Sequence, residues 1–373
     1  MSTTPRRVGA LVALLLTALA AAPDSSVAAA SVQASPDALA AEIARLKADL
    51  ASNTAKGEIW DDVRRSSEPM LRRAETALRD GRRLLALHRL AAAREGVSAA
   101  RYLGSLAGPE RQDPARFEAE WRRVGELLRG ELAPPAANAL DGVVPAAARA
   151  IGEAALPQVR IYYAASLDYG QNSVLDAGLY YIGSALAQRE LPRLLRGLAA
   201  PAPAPQPALR PLEPELKALE AEILAAYRPP ASIDRHVDFI RASAALKEAR
   251  ELDALGLRYG ALLRYMQSLQ RIATVRSAPA AATEAGSRAA LEARLRDYDK
   301  RLSTPGVDHS IGRLFLETAQ ALLGPGEDAD SVAAQAIADS VLPRYFAALE
   351  PVAPAAPEPE PRVTVTLVRW PYT

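Results

Sequence analysis

The chain has 373 residues, of which 49% are hydrophobic and 24% charged, the balance of a globular protein long enough to bury one large core or two modest ones. It contains no cysteine, and this excludes disulfides, thiolate nucleophiles and cysteine-ligated metals. A formal net charge of +1 indicates no basic face for nucleic acid.

Residues 1–30 have the pattern of a secretory signal peptide. Arg6 and Arg7 precede an apolar stretch over residues 8–22, and residues 28–30 are three alanines that resemble a cleavage site. The stretch is shorter than the ~20 residues that span a bilayer, although an uncleaved N-terminal membrane anchor is the alternative. We therefore expect an exported protein, periplasmic or extracellular, without stable membrane insertion after cleavage.

Helical spacing of apolar residues, interrupted by proline, glycine and serine, predicts helices throughout the first half of the chain. These helices are expected to begin at Pro36 and after Gly57, Gly81 and Asp113, and two more are expected at about 146–169 and 173–198. Ser173 is the predicted N-cap of the last helix. Pro157 is expected to kink or break the helix at 146–169, and Pro192 is expected to bend the helix at 173–198.

Five prolines predict a stiff, extended linker over residues 201–212. The helical pattern then resumes, with helices expected at about 213–227, 232–276, 283–302, 309–323 and 330–349. The second of these is expected to break near Gly256 or Gly260. Almost nothing before residue 360 is typical of a strand.

Five short matches recur in the same order in the two halves, which indicates an internal duplication. They pair residues 73–78 with 241–246, 118–122 with 292–296, 151–152 with 311–312, 173–174 with 331–332, and 191–193 with 342–344. Compositional bias in an alanine-rich helical chain is the alternative. The predicted fold is all-α: two related multi-helix units, residues 31–200 and 213–350, in a solenoid-like or two-lobed array with a short C-terminal β-strand tail.

Gly81, Ala86, Leu90 and Ala93 have the spacing of a turn glycine followed by the packing positions of the next helix. This segment of about twenty residues resembles a tetratricopeptide helical hairpin. The resemblance implies close antiparallel helix packing and not membership of that family. The second unit has Ala249 in place of Gly81, and both units lack the proline near the end of that repeat.

Little in the sequence points to catalysis. His88, His236 and His309 are isolated from one another along the chain, whereas a metal site needs three or four converging ligands. No nucleophile-elbow, P-loop or dinucleotide-binding pattern is present. We therefore expect no metal and no cofactor, and a function in binding more than in catalysis.

Polar and aromatic side chains are concentrated between residues 162 and 181, where five of the 12 tyrosines surround a predicted helical turn. A tyrosine offers an apolar ring and a hydroxyl that needs a partner when buried, so tyrosine pairs on antiparallel helices would line a groove for a peptide, glycan or aromatic ligand. Structural packing of the hairpin is the alternative. The candidate binding residues are Tyr162, Tyr163, Asp168, Tyr169, Asn172, Asp176, Tyr180 and Tyr181.

Residues 351–373 differ in kind from the rest of the chain. A Pro/Glu/Ala linker precedes a segment with the two-residue periodicity of a strand. A lone strand is not stable, so it would pair with a partner's sheet edge or a copy of itself, or dock on its own helices. The candidate contact residues are Val365, Leu367, Trp370 and Tyr372. A flexible or self-docked tail is the alternative.

These patterns favour an exported, non-enzymatic helical binding or scaffold protein of the cell envelope, with a protein or peptide partner. The alternative function is a small-ligand receptor or an enzyme with a pocket at the 162–181 hairpin, where Asp168 or Asp176 would supply the polar group. Neither the ligand nor the oligomeric state follows from the sequence.

Overall fold

The computed structural model describes residues 36–52, 57–106, 108–132, 143–228, 233–276, 285–325 and 329–349. The α-helices are α1 (Pro36–Ser52), α2 (Glu58–Arg79), α3 (Arg83–Ser105), α4 (Pro114–Leu132), α5 (Ala146–Gln171), α6 (Leu175–Leu198), α7 (Glu213–Ala226), α8 (His236–Ala254), α9 (Arg258–Arg276), α10 (Ala285–Leu302), α11 (Ser310–Leu323), α12 (Ser331–Ala336) and α13 (Leu342–Leu349). A π-helical segment, Ile337–Val341, joins α12 to α13. No strand occurs in these ranges, so the all-α prediction is confirmed for them. The predicted signal peptide and C-terminal strand lie outside the described residues.

One expectation about helix boundaries was wrong. Ser173 is not the N-cap of α6, because Val174 occupies that position and Ser173 has a φ of +61°. The amides of Ser173 and Val174 instead donate to the carbonyls of Gly170 and Tyr169, which ends α5 in a Schellman motif. Helix α5 continues through Pro157 as one element, so of the expected kink or break the break does not occur.

One hydrophobic core includes helices from both halves of the chain. The largest cluster of buried apolar side chains extends from Leu39 in α1 to Ala348 in α13. Helix α5 packs against α9, and α3 packs against α11, so helices on opposite sides of residues 201–212 are in direct contact. A smaller cluster around Phe117 and Val159 fills the space among α3, α4, α5 and α6.

Residues 201–212, here called the proline strap, are hydrogen-bonded to the helices on both sides. The side chain of Gln206 donates to the carbonyl oxygen of Val144 at 2.8 Å. The hydroxyl of Tyr259 donates to the carbonyl oxygen of Pro207 at 2.7 Å. The strap is therefore packed into the fold and does not act only as a spacer.

Carboxylates from distant parts of the chain cap the N-termini of three helices. Unpaired amides of a first helical turn need an acceptor, and the N-cap residues of α3 and α5 make no side-chain cap. The acceptors are Glu317 for Leu85 in α3 at 2.8 Å, Glu153 for Gly260 in α9 at 2.8 Å, and Asp308 for Ala146 in α5 at 2.6 Å. Each bond joins residues on opposite sides of the proline strap.

The α5–α6 hairpin packs closely on α3, and this places α2 beside the beginning of α6. A Cβ atom on Gly183 of α6 would lie 2.9 Å from the Cα atom of Ala99 in α3, so the two backbones approach directly. Because α3 also forms a hairpin with α2, the first half of α2 lies near the end of the α5–α6 hairpin. An open cleft lies between them.

Candidate functional site

The cleft between α2 and the α5–α6 hairpin has a volume of about 870 Å³ and is here called the hairpin cleft. Its walls come from α2, the ends of α3 and α5, the first two turns of α6, and the short 3₁₀ turn Glu110–Gln112. Its aromatic and ionisable lining residues are Glu58, Trp60, Asp62, Arg65, Arg111, Tyr169, Asp176, Tyr180 and Tyr181. This volume is within the range of about 300–1,000 Å³ that is usual for small-molecule sites.

Stacked tyrosines form one wall of the hairpin cleft. The rings of Tyr169 and Tyr181 are stacked, with centroids 5.1 Å apart, and Tyr169 is 37% exposed. Tyr180 meets Tyr181 edge-on at 5.8 Å, and Tyr162 packs against Tyr181 at 5.9 Å. The rings of the wall therefore hold one another in place, and Tyr169 is the most exposed of them.

Three buried polar atoms on residues of the cleft have no hydrogen-bond partner among the described residues. They are Nε1 of Trp60, Oδ1 of Asp176 and Nε of Arg111. Trp60 as a whole is only 4% exposed. Leaving such an atom unpaired costs about 1–3 kcal/mol, and surrounding protein atoms cover each of the three.

A polar cluster lies behind the tyrosine wall. Burial raises the pKa of the Glu95 carboxyl, and the Ser184 hydroxyl opposes this by hydrogen bonding. Burial is the main cause that raises the pKa of the Tyr162 and Tyr180 hydroxyls, and the negative charge of Glu95 is the next largest. Both hydroxyls are therefore protonated at neutral pH.

The predicted site residues separate into four groups. Tyr169, Asp176, Tyr180 and Tyr181 line the hairpin cleft, and Tyr162 supports Tyr181 from behind. Tyr163 instead faces α4, where its ring stacks on Trp121 at 4.9 Å and its hydroxyl donates to the Trp121 carbonyl at 3.0 Å. Asn172 donates to the carbonyl of Asp168 at the end of α5, and neither residue lines the cleft. Val365, Leu367, Trp370 and Tyr372 lie outside the described residues.

The α2 side of the cleft was not predicted. Trp60, Val63 and Arg111 line the cleft, but none of them was among the predicted binding residues. The available signal was the pattern at the beginning of α2, where an aromatic residue stands among the acids Glu58, Asp61 and Asp62.

The histidines are dispersed through the fold. Burial, followed by the charges of Arg264 and Arg89, lowers the pKa of His88 to about 4, and its Nε2 lies 3.2 Å from the Gln267 amide. His236 is hydrogen-bonded to Tyr227, and His309 to Tyr345. Within the described ranges no three His, Asp or Glu side chains are grouped as metal ligands.

No family model, curated protein or solved structure matches this chain. Among the described helices, none is both long and apolar enough to cross a membrane. The geometry of the hairpin cleft is therefore the basis for an assignment of function.

Proposed function

We propose that this is an exported, non-enzymatic binding protein of the cell envelope that holds its ligand in the hairpin cleft. The observation that carries the proposal is the open, aromatic-lined hairpin cleft, which the ionisable side chains of Glu58, Asp176 and Arg111 also line. Such a mixture of aromatic and polar side chains is usual for small-molecule sites. The export signal predicted in residues 1–30 gives the location.

The test is native mass spectrometry of residues 31–373 incubated with a soluble envelope extract. We expect a ligand adduct on the wild-type protein that is lost in a Tyr169→Ala/Asp176→Ala double variant. Tyr163→Phe is the matched control, because Tyr163 lies on the same helix but faces Trp121. An adduct that persists in the double variant, or no adduct on any form, would contradict the proposal.

A small-ligand receptor or an enzyme is the second candidate function. The volume of the cleft and the carboxyl groups of Glu58, Asp62 and Asp176 favour it. Asp62 is paired with Arg65 at 3.0 Å, which leaves Glu58 and Asp176 for a chemical role. Turnover of a ligand recovered from the cleft, abolished by Asp176→Asn while binding remains, would favour an enzyme over a binding protein.

The predicted strand in residues 362–373 supports a second contact, with a protein partner. Its alternating apolar residues fit addition to a sheet edge. Deletion of residues 351–373 tests this by affinity purification of the mature protein. We expect the deletion to release a protein partner and to leave the ligand of the cleft bound.

We also propose that the two halves arose by duplication and that they form two lobes which share one hydrophobic core. Matching turns support this: Gly81 (φ +78°) and Gly256 (φ +76°) each lie two residues before a helix. The amides of Arg82 and Leu257 donate back to the carbonyls of Ala77 and Leu252 in the same pattern. This register pairs Gly81 with Gly256 and not with Ala249, so it differs from the one that the sequence matches suggested.

Reciprocal caps give independent support to the duplication. Leu85 and Gly260 are the third residues of α3 and α9, and their amides donate to Glu317 of α11 and Glu153 of α5. Each half therefore supplies a carboxylate to the same position in the other half. Reciprocal contacts of this kind are expected of two copies related by an approximate twofold axis.

A further inference from the structure

We infer that the ligand of the hairpin cleft is a neutral oligosaccharide. This inference rests on the proposed binding function and names the chemistry of the occupant. It is argued from the hydrogen-bonding capacity of the cleft, its aromatic surface, its charge and the helical nature of its walls.

The polar side chains of the cleft fit a ligand that both donates and accepts hydrogen bonds. The guanidinium groups of Arg65 and Arg111 can only donate, whereas the carboxylates of Glu58 and Asp176 can only accept when ionised. Helix α6 begins at the cleft, and its N-cap residue Val174 makes no side-chain cap, so amides of its first turn are further donors. A sugar hydroxyl donates and accepts at once, so one ring satisfies both kinds of atom without adding charge.

The tyrosine wall fits the faces of sugar rings. A pyranose ring exposes C–H groups on its faces and hydroxyls around its edge, so it packs flat on an aromatic ring while its edge binds polar groups. The exposed ring of Tyr169, which stacks on Tyr181, offers such a surface in the lining of the cleft. Val174, which is 48% exposed, extends the apolar rim.

The charge of the cleft disfavours an anionic ligand. Glu58, Asp62 and Asp176 outnumber Arg65 and Arg111 among the lining residues. The Asp62–Arg65 ion pair leaves two carboxylates and one guanidinium. A neutral ligand meets this mixture with hydrogen bonds alone.

The helical walls disfavour an extended peptide. Peptides bound in extended form usually pair their main chain with exposed backbone groups of a strand. Here α2, α3 and α6 use most of their backbone groups in their own helices, so recognition depends on side chains. Side-chain hydrogen bonds around a ring suit a sugar better than a peptide main chain.

The test uses cellotriose, maltotriose and the trimer of N-acetylglucosamine as probes, with the blocked tripeptide Trp-Ala-Tyr for comparison. Calorimetry measures affinity, and NMR follows the indole N–H of Trp60. We expect saturable binding of at least one trisaccharide with a shift of the Trp60 indole resonance, because Trp60 lines the cleft and its surroundings change when the ligand binds. Tyr169→Ala and Asp176→Ala should each weaken binding at least about tenfold.

Tyr163→Phe is the control and should bind as the wild-type protein does, and circular dichroism verifies that each variant is folded. The inference is overturned if no trisaccharide binds at millimolar concentration. It is also overturned if a trisaccharide binds the Tyr169→Ala and Asp176→Ala variants as well as it binds the wild-type protein. If only the tripeptide binds, and Tyr169→Ala weakens its binding, the inference of an oligosaccharide is overturned. The proposed binding function then still stands. If the wild-type protein forms no adduct in the mass spectrometry experiment, both the inference and the proposed binding function are overturned.

Discussion

Gly183 shows how one residue sets the distance between two helices. Its missing side chain lets α6 meet the backbone of Ala99 in α3. We expect Gly183→Ala to lower the free energy of unfolding by about 1–3 kcal/mol, because a Cβ atom there would be 2.9 Å from a backbone atom that cannot move alone. Urea denaturation of the two proteins measures the difference.

Gly197 in the same helix is the matched control for this prediction. A Cβ atom on Gly197 meets nothing within 4 Å. Gly197→Ala should therefore raise the free energy of unfolding by about 0.5 kcal/mol, because alanine restricts the unfolded chain and favours the helix. Equal effects of the two substitutions would contradict the proposed role of close helix packing at Gly183.

The candidate site was predictable where the signal is local and not where it depends on tertiary contacts. The tyrosines of residues 162–181 are close in sequence, so their joint position followed from the predicted hairpin. Adjacent residues of a helix point about 100° apart, and this is why Tyr162 supports the cleft while Tyr163 faces Trp121. Trp60 comes from a helix more than 100 residues earlier, and only the packing of α2 beside α6 brings it to the site.

At the scale of elements, long-range capping replaces the local caps that sequence patterns identify. Arg82, Pro145 and Leu212 are the N-cap residues of α3, α5 and α7, and none makes a side-chain cap. The carboxylates that accept from these first turns are Glu317, Asp308 and Asp253, in other parts of the chain. Local rules place the beginnings of these helices, but the identity of their caps depends on the tertiary fold.

Glu317 makes the contact between α11 and α3 sensitive to pH. Burial raises the pKa of this carboxyl to about 7, against the opposing effect of the Leu85 amide and the Arg313 and Arg82 charges. Because the pKa in the folded state lies above that in the unfolded state, the contribution of Glu317 to stability is complete below about pH 4.5. It is lost as the pH rises through about 7.

Glu317→Gln should remove this pH dependence, because the amide keeps an oxygen acceptor for Leu85 but cannot ionise. We expect the variant to match the wild-type protein at pH 5 and to exceed its free energy of unfolding by about 1–3 kcal/mol at pH 8. Urea denaturation at both pH values measures the change. Glu118→Gln on the exposed face of α4 is the control. An identical pH dependence in wild type and Glu317→Gln would contradict the prediction.

At the scale of the whole molecule, the order of helices was predictable but their packing was not. Proline and glycine mark most boundaries, as at Pro36, Gly81 and Gly256, and these signals act within a few residues. The contacts of α5 with α9 and of α3 with α11 join residues far apart in sequence, and no local pattern encodes them. The interpretation of residues 201–212 as a spacer missed their packing for the same reason.

A shared core predicts that both halves unfold together. The described tryptophans, Trp60 and Trp121, lie in α2 and α4, so in a Trp370→Phe background tryptophan fluorescence reports on the first half alone. Circular dichroism reports on the helices of both halves. We expect the two signals to give one coincident transition in urea, because the largest hydrophobic cluster and the Glu317 and Glu153 caps connect the halves.

Ile337→Ala provides the decisive comparison. Ile337 is fully buried in the π-helical segment of the second half, so its truncation should cost about 2–5 kcal/mol. If the halves form one cooperative unit, the fluorescence transition should move to lower urea by the same amount as the dichroism transition, although both reporting tryptophans lie in the other half. A fluorescence transition that stays in place while the dichroism signal divides into two steps would show that the halves unfold independently. The reciprocal caps would then be contacts between two autonomous lobes and not part of a common core.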